Sequence, residues 1–163
     1  MAAAKERQAM ARQIQVDVQR TIPAPRERVH QVLTDYASGR PEVQPPANYL
    51  DYKVLQGGRG AGTQISYRLR VGPRERPYEV EVSEPSPGAT LVERDRNSSL
   101  VTTWTLVPTP DGSATKLELS TSWQGSGGVG GFFERTFAPK GLRRVYDELL
   151  DRLTEKVSSA PGS

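Results

Sequence analysis

The sequence predicts an α+β domain in which a curved antiparallel sheet of seven strands wraps around one long C-terminal helix. Three observations predict it. Leu142, Val145, Tyr146, Leu149, Leu150, Leu153 and Val157 recur in steps of three and four, which lays one apolar stripe along a helix. Most of the chain before them alternates apolar and polar residues in short runs, the period of half-buried strands. Glycine- and proline-rich turns separate those runs at hairpin spacing, so strands adjacent in sequence pair antiparallel. One face of the sheet is then apolar, and the C-terminal helix is the cover available to it.

Composition narrows the function classes. At 163 residues the chain has the size of one domain and can bury a core without staples. It has no cysteine, which excludes disulfides and thiol chemistry. The net charge is +3, with Lys and Arg interleaved among Asp and Glu, so no nucleic-acid partner is expected. No apolar run reaches membrane-span length and no signal peptide is visible, so the expectation is a cytoplasmic protein with no integral membrane segment. The sequence leaves the oligomeric state open.

Residues 1–13 read as an N-terminal extension, flexible or a short helix, before a domain over 14–157. Ile14, Val16, Val18 and Ile22 share one parity of the first strand. Pro23-Ala24-Pro25 ends it, and Val29, Val32, Leu33 and Tyr36 mark the buried face of a first helix. The stretch Ala37 to Asn48 is a loop rich in proline, with a second helical turn near Pro41 to Gln44. Tyr49 to Leu55 is a strand, and Gly57 to Gly62 a tight turn. Ile65, Tyr67, Leu69 and Val71 alternate with arginines. Tyr78, Val80 and Val82 alternate with Glu79 and Glu81, which predicts a charged outer face across an antiparallel pair. Ala89 to Arg96 is a strand whose facing the parity leaves open. Leu100 to Val107 carries Trp104, and Leu117, Leu119, Thr121 and Trp123 mark the last strand. Residues 158–163 read as a disordered tail.

The final segment, Phe132 to Val157, would span about 35–40 Å as one helix. Pro139 interrupts it, because its ring would clash with the carbonyl of Arg135. The expectation is a kink, or a helix start near Ala138 with Gly131 to Phe137 as a separate turn.

This chain resembles the START-like, helix-grip proteins of the polyketide cyclase/dehydrase and lipid-transport group. The resemblance is carried by the opening strand before Ile22-Pro23-Ala24-Pro25, and by Val29-His30-Gln31-Val32-Leu33-Thr34-Asp35-Tyr36. Gly60-Ala61-Gly62-Thr63, Trp104-Thr105-Leu106-Val107-Pro108 and the long final helix add to it. Arg40-Pro41-Glu42-Val43 stands where many relatives carry a tryptophan–proline pair. The resemblance implies a seven-stranded sheet gripping the helix, two short helices after the first strand, and an apolar cavity between sheet and helix.

Several motifs invite sharper chemistry. Gly125, Gly127 and Gly130 match a dinucleotide loop, but no second parallel strand follows, so a flexible connector or a lid at the cavity mouth is the better reading. His30 is the sole histidine and lies off the apolar stripe, so it should face water; with no cysteine, neither a metal site nor any cofactor is expected. Glu93 and Asp95 could project inward as acid–base groups, or Thr90, Val92 and Arg94 could do so instead; exposure of the acids at the sheet rim is the favoured reading. The aromatics converge better. Tyr36 lies on the first helix; Tyr67, Leu69, Tyr78 and Val80 lie on neighbouring strands. Trp104, Thr121 and Trp123 share the inward parity, and Phe133, Phe137 and Tyr146 belong to the final segment. Ordinary core packing explains any one of them. Together they suit a pocket that is mostly apolar with a few polar anchors.

The leading reading is therefore binding of a hydrophobic or aromatic small molecule, lipid- or polyketide-like. The alternative is a cyclase, aromatase or dehydratase acting in the same cavity, with Tyr67, Tyr78, Glu93, Arg94 and Asp95 as candidates for acid–base work. A third reading is a protein-interaction module, which a closed and filled core would favour. The loops Ala37 to Asn48, Gly57 to Gly62 and Gly125 to Gly131 are expected to border the cavity mouth.

Overall fold

A computed structural model of the chain describes residues 13–124 and 137–158. Among these the order is β1 (Gln13–Ile22), α1 (Arg26–Thr34), α2 (Gly39–Val43), β2 (Tyr49–Gln56), β3 (Gln64–Val71), β4 (Arg74–Ser86), β5 (Thr90–Asp95), β6 (Val101–Pro108), β7 (Thr115–Gln124) and α3 (Pro139–Ser158). The strands form one sheet in the order β1-β7-β6-β5-β4-β3-β2, antiparallel throughout. Hairpins join successive strands from β2 to β7. The first strand returns to pair with the last, with Val16 opposite Thr121 and Val18 opposite Leu119. This is the antiparallel sheet under a covering helix that the alternation predicts, in the helix-grip arrangement that the resemblance implies.

The helix α3 packs chiefly on β1 and also meets α1, α2 and β3. All seven residues of the predicted stripe are buried, each worth roughly 1.5–3 kcal/mol of apolar transfer. Its outer face carries the expected Glu148–Arg152 pair at 3.5 Å. Pro139 is the first helical residue, a position where the missing N–H costs nothing. Leu142 closes the first turn by donating to the carbonyl of Ala138 at 3.1 Å. The helix is thus 20 residues long, about 30 Å and shorter than the uninterrupted reading. Its start lies hard against β3: a Cβ added at Gly141 would fall 2.7 Å from Cγ1 of Val71. Residues 1–12 of the predicted extension, the glycine-rich connector, Phe133 and residues 159–163 lie outside the described residues, while Gln13 and Ser158, read as extension and tail, belong to β1 and α3.

Three expectations need correction. The carboxylates of β5 do not sit at an exposed rim. Leu91, Glu93 and Asp95 are 1%, 8% and 4% exposed, while Arg94 faces solvent. Pairing of Leu91 with Trp104 and Glu93 with Thr102 puts them on the face those residues bury, and a strand's period of two fixes the rest. His30 does not simply face water; its Nε2 lies 2.5 Å from Oε1 of Glu84, tying α1 to β4. The turn Gly57 to Gly62 is pinned to the end of α1, where Gly60 N–H donates to the carbonyl of Thr34 at 2.9 Å; it lines neither cavity described below.

The charged outer face exists with different partners. Arg68 and Arg70 converge on Glu75 at 3.0 Å each, because the register sets Glu75, not Glu79 or Glu81, opposite Arg70. Glu81 instead pairs with Arg96 at 3.3 Å.

Candidate functional site

The interior between sheet and helix is built on a buried ion pair. Its placement begins with Asp35, the residue that follows α1. The Asp35 carboxylate accepts N–H bonds from Ser38 at 3.2 Å and Gly39 at 3.0 Å, and the Ser38 hydroxyl at 2.9 Å. Its carbonyl accepts the Arg40 N–H at 2.7 Å. Burial pulls the Asp35 carboxyl upward, yet these hydrogen bonds and the nearby Arg59 outweigh it and hold the pKa below the ordinary value. The result is a one-turn helix that points Arg40 inward.

Arg40 is 2% exposed. Its Nη1 donates to the carbonyl of Leu33 at 2.6 Å, and its Nη2 donates to Oε2 of Glu93. The Tyr36 hydroxyl donates to the same oxygen, and Trp104 Nε1 donates to Oε1 at 2.9 Å. The guanidinium carbon stands 5.0 Å from the Tyr36 ring centre and 4.5 Å from that of Trp104. Burial alone would lower the Arg40 pKa, but the adjacent Glu93 raises it, so the group stays charged. Two charges are carried into an apolar interior, which is tolerable only because both are paired and hydrogen-bonded.

A void of about 20 Å³ opens beside this cluster, room for one water. Arg40, Gln44, Tyr49, Tyr67, Trp104 and Tyr146 are among its walls. Arg40 Nε is buried without a hydrogen-bond partner. Among the described residues, the Tyr49 and Tyr67 hydroxyls and the Gln44 amide also make no protein hydrogen bond. Burial pushes the Tyr49 and Tyr67 phenols well above their ordinary range. Burial pushes Tyr146 up to about 12, moderated by its hydrogen bond to Thr121. These phenols therefore keep their protons at neutral pH and present O–H groups. A second chain of hydroxyls backs the void: Thr102 to Thr121 at 2.8 Å and Thr121 to Tyr146 at 2.5 Å.

A larger space lies nearer the surface. An open cleft of about 890 Å³ runs between the start of α3, the beginning of β1 and the β3–β4 turn. Ile14, Val71, Phe137 and Val145 form its apolar floor, and Arg74 and Arg144 stand on its rim. A row of rings leads inward from it. Phe137 and Tyr78 have centres 6.4 Å apart, Tyr78 and Tyr67 5.9 Å, and Tyr67 and Tyr49 5.2 Å.

Of the residues proposed from sequence, Tyr67, Leu69, Tyr78, Trp104 and Tyr146 meet at the small void, and Phe137 lines the cleft. Tyr36 and Thr121 stand one layer behind, bonded to Glu93 and Tyr146. Val80 and Trp123 are buried but border neither space; the Trp123 indole N–H has no partner. Glu93 reaches the void, whereas Asp95, at the end of β5, accepts the Glu79 backbone N–H of β4 at 2.9 Å. Sequence reasoning missed Arg40, Gln44 and Tyr49. The first two lie in and just after a five-residue helix, too short for periodicity to assign a facing, and Tyr49 opens a strand that bulges two residues later.

Residues 13–158 match the family model described as polyketide cyclase / dehydrase and lipid transport. A search among curated proteins finds no match. Among solved structures, the KanY protein, determined by NMR in solution, is 39% identical, with 90% of this chain and 99% of that chain covered and a TM-score of 0.78. The Zhui aromatase/cyclase from Streptomyces sp. R1128 is 17% identical over 93% of this chain and 99% of its own, with a TM-score of 0.72. Norcoclaurine synthase from Thalictrum flavum, solved in complex with dopamine and hydroxybenzaldehyde, is 12% identical over 93% and 90%, with a TM-score of 0.69. The latter two similarities are similarities of fold. No helix among the described residues is long and apolar enough to cross a membrane.

Proposed function

The chain belongs to the polyketide cyclase / dehydrase and lipid transport family, and we propose that it binds an aromatic or polyketide-like small molecule between sheet and α3. One observation carries the reading. Arg40 Nε, the Tyr49 and Tyr67 hydroxyls and the Gln44 amide border one void without protein partners. Buried polar groups in folded proteins are almost always paired; Arg40 Nε is buried and open, and with the partly buried Tyr49 and Tyr67 hydroxyls beside it the set suits a guest. Guanidinium and phenol groups are donors, which selects a ligand with a carbonyl or phenolic oxygen at that point and an apolar, planar body elsewhere.

Ligand pockets hold roughly 300–1,000 Å³, far more than the void. Binding therefore parts the walls. The row Phe137, Tyr78, Tyr67 and Tyr49 connects the void to the open cleft, and rotation of these rings joins the two spaces. The void's small size, about 20 Å³, is what the interaction-module reading expects; the open Arg40 Nε and the phenol hydroxyls beside it favour the ligand-binding reading.

A second reading rests on the same donors. A cation and protonated phenols around one point would stabilise negative charge developing on a carbonyl oxygen, the requirement of a cyclisation or dehydration through an enolate. Glu93 is engaged by three donors and serves to hold Arg40 in this reading.

The test is a thermal-shift and tryptophan-emission screen of aryl ketones and phenols, with native mass spectrometry of the protein as purified. Stabilisation that grows with the logarithm of ligand concentration, or a co-purified aromatic compound, supports binding. Compounds recovered chemically altered move the enzyme reading ahead. Absence of any shift across the screen contradicts both.

A further inference from the structure

The open cleft has features that the interior reading does not use. Its apolar floor is rimmed by two exposed arginines, Arg74 on β4 and Arg144 on α3. Neither makes an ion pair or hydrogen bond among the described residues. Carboxylates stand close by but are engaged elsewhere. Glu75, next to Arg74, is held by Arg68 and Arg70 at 3.0 Å each. Glu148 lies one turn after Arg144 and also lines the cleft, yet its ion pair is with Arg152 at 3.5 Å. Among the described residues, two cations from separate elements are thus left over an apolar surface, with the neighbouring acids Glu75 and Glu148 held by other arginines.

From this arrangement we infer that the cleft binds the carboxylate end of an amphipathic acid, an aryl or fatty acid whose apolar body lies on Ile14, Val71, Phe137 and Val145. Arginine suits this role because its planar fork matches a carboxylate with paired hydrogen bonds. The cleft's volume of about 890 Å³ lies within the range that holds a small organic ligand. The inference builds on the proposed function in one respect: the row of rings from Phe137 would lead the far end of such an acid toward the void at Arg40. The carboxylate site itself stands on the rim arginines alone.

Paired probes separate the two claims. The full chain is titrated calorimetrically with 2-naphthylacetic acid and with the neutral 2-(2-naphthyl)ethanol, at low and moderate salt. The same titrations are run on Arg74→Gln/Arg144→Gln, an exposed pair whose replacement leaves the core intact. The acid should bind at least about tenfold more tightly than the alcohol, the worth of one charge-assisted hydrogen bond. That preference should shrink with salt and vanish in the double variant, while the alcohol's affinity stays unchanged. Equal binding of both probes overturns this inference and leaves the interior reading standing. A preference for the acid that survives in the double variant overturns it as well, as does failure of both probes to bind.

Discussion

The Arg40 guanidinium carbon lies 4.5 Å from the centre of the Trp104 ring, and both residues donate to the one carboxylate of Glu93. A residue of the short helix α2, a β6 indole and a β5 acid are thereby locked into a single unit in the middle of the domain. Cation–π contact and charge-assisted hydrogen bonds reinforce one another there because burial lowers the local dielectric.

Breaking the pair from one side should be severe. Glu93→Gln leaves Arg40 charged and buried without its counter-ion, and the expected loss is about 3–5 kcal/mol. The double variant Arg40→Met/Glu93→Leu removes both charges and should recover most of that loss. Urea denaturation of the three proteins checks this; a double variant as unstable as the single one would show that packing, not charge pairing, sets the cost.

Acid should loosen α2 and its Arg40 through Asp35. Its folded pKa lies below the ordinary value of 3.8, so the unfolded chain binds a proton first. The stability it contributes is present above that ordinary value and is lost as pH falls through the lower, folded value. Asp35→Asn should abolish this component, giving a shallower fall in stability below about pH 4. An unchanged acid limb in Asp35→Asn would show that other carboxylates carry it.

Five of the six tyrosines, Tyr36, Tyr49, Tyr52, Tyr67 and Tyr146, have phenols raised above their usual 10.0 chiefly by burial. The folded state holds these protons longer than the unfolded chain does. Stability should therefore be insensitive to their titration below pH 10 and fall as pH rises above it. Tyrosinate absorbance should show little ionisation near pH 10 and a steep rise that coincides with unfolding. Five tyrosines ionising freely near pH 10 in folded protein would contradict the buried site.

Gly141 sets how closely α3 approaches β3. Gly141→Ala places a methyl 2.7 Å from Val71 Cγ1, and a β-branched valine has little rotamer freedom to yield. The expected destabilisation is about 1–3 kcal/mol, the range for overpacking. Thermal denaturation measures it, and Val71→Ala in the same chain should relieve it. Full stability of Gly141→Ala alone would show that the helix start shifts freely.

The fold was legible because two periods dominate the sequence. The stripe from Leu142 to Val157 and the alternation in β3, β4, β6 and β7 each fix a facing, and Pro139 marks where the helix begins. The candidate site was half legible for the same reason: Tyr67, Tyr78, Trp104 and Tyr146 follow from strand and helix parity. Glu93 was ambiguous because β5 alternates Leu91, Glu93 and Asp95 with Thr90, Val92 and Arg94, two mixed faces that only the register with β6 separates. Arg40 was out of reach. Its facing is set by hydrogen bonds from Asp35 to a five-residue helix, and its burial by a carboxylate 53 positions away, neither of which leaves a periodic trace.

The central claim is that the open donors around the void receive an oxygen of an aromatic ligand. Its most direct test is a calorimetric comparison of 2-acetylnaphthalene with 2-ethylnaphthalene, on the wild-type chain and on Tyr49→Phe/Tyr67→Phe. The two compounds share an apolar body and differ in one acceptor, and the two phenylalanines preserve ring packing while removing both hydroxyls. The account predicts that the ketone binds several-fold more tightly than the hydrocarbon to the wild type, and that the double variant loses the difference. Equal binding of the two compounds to the wild type, or a ketone preference untouched by removing both hydroxyls, would contradict it.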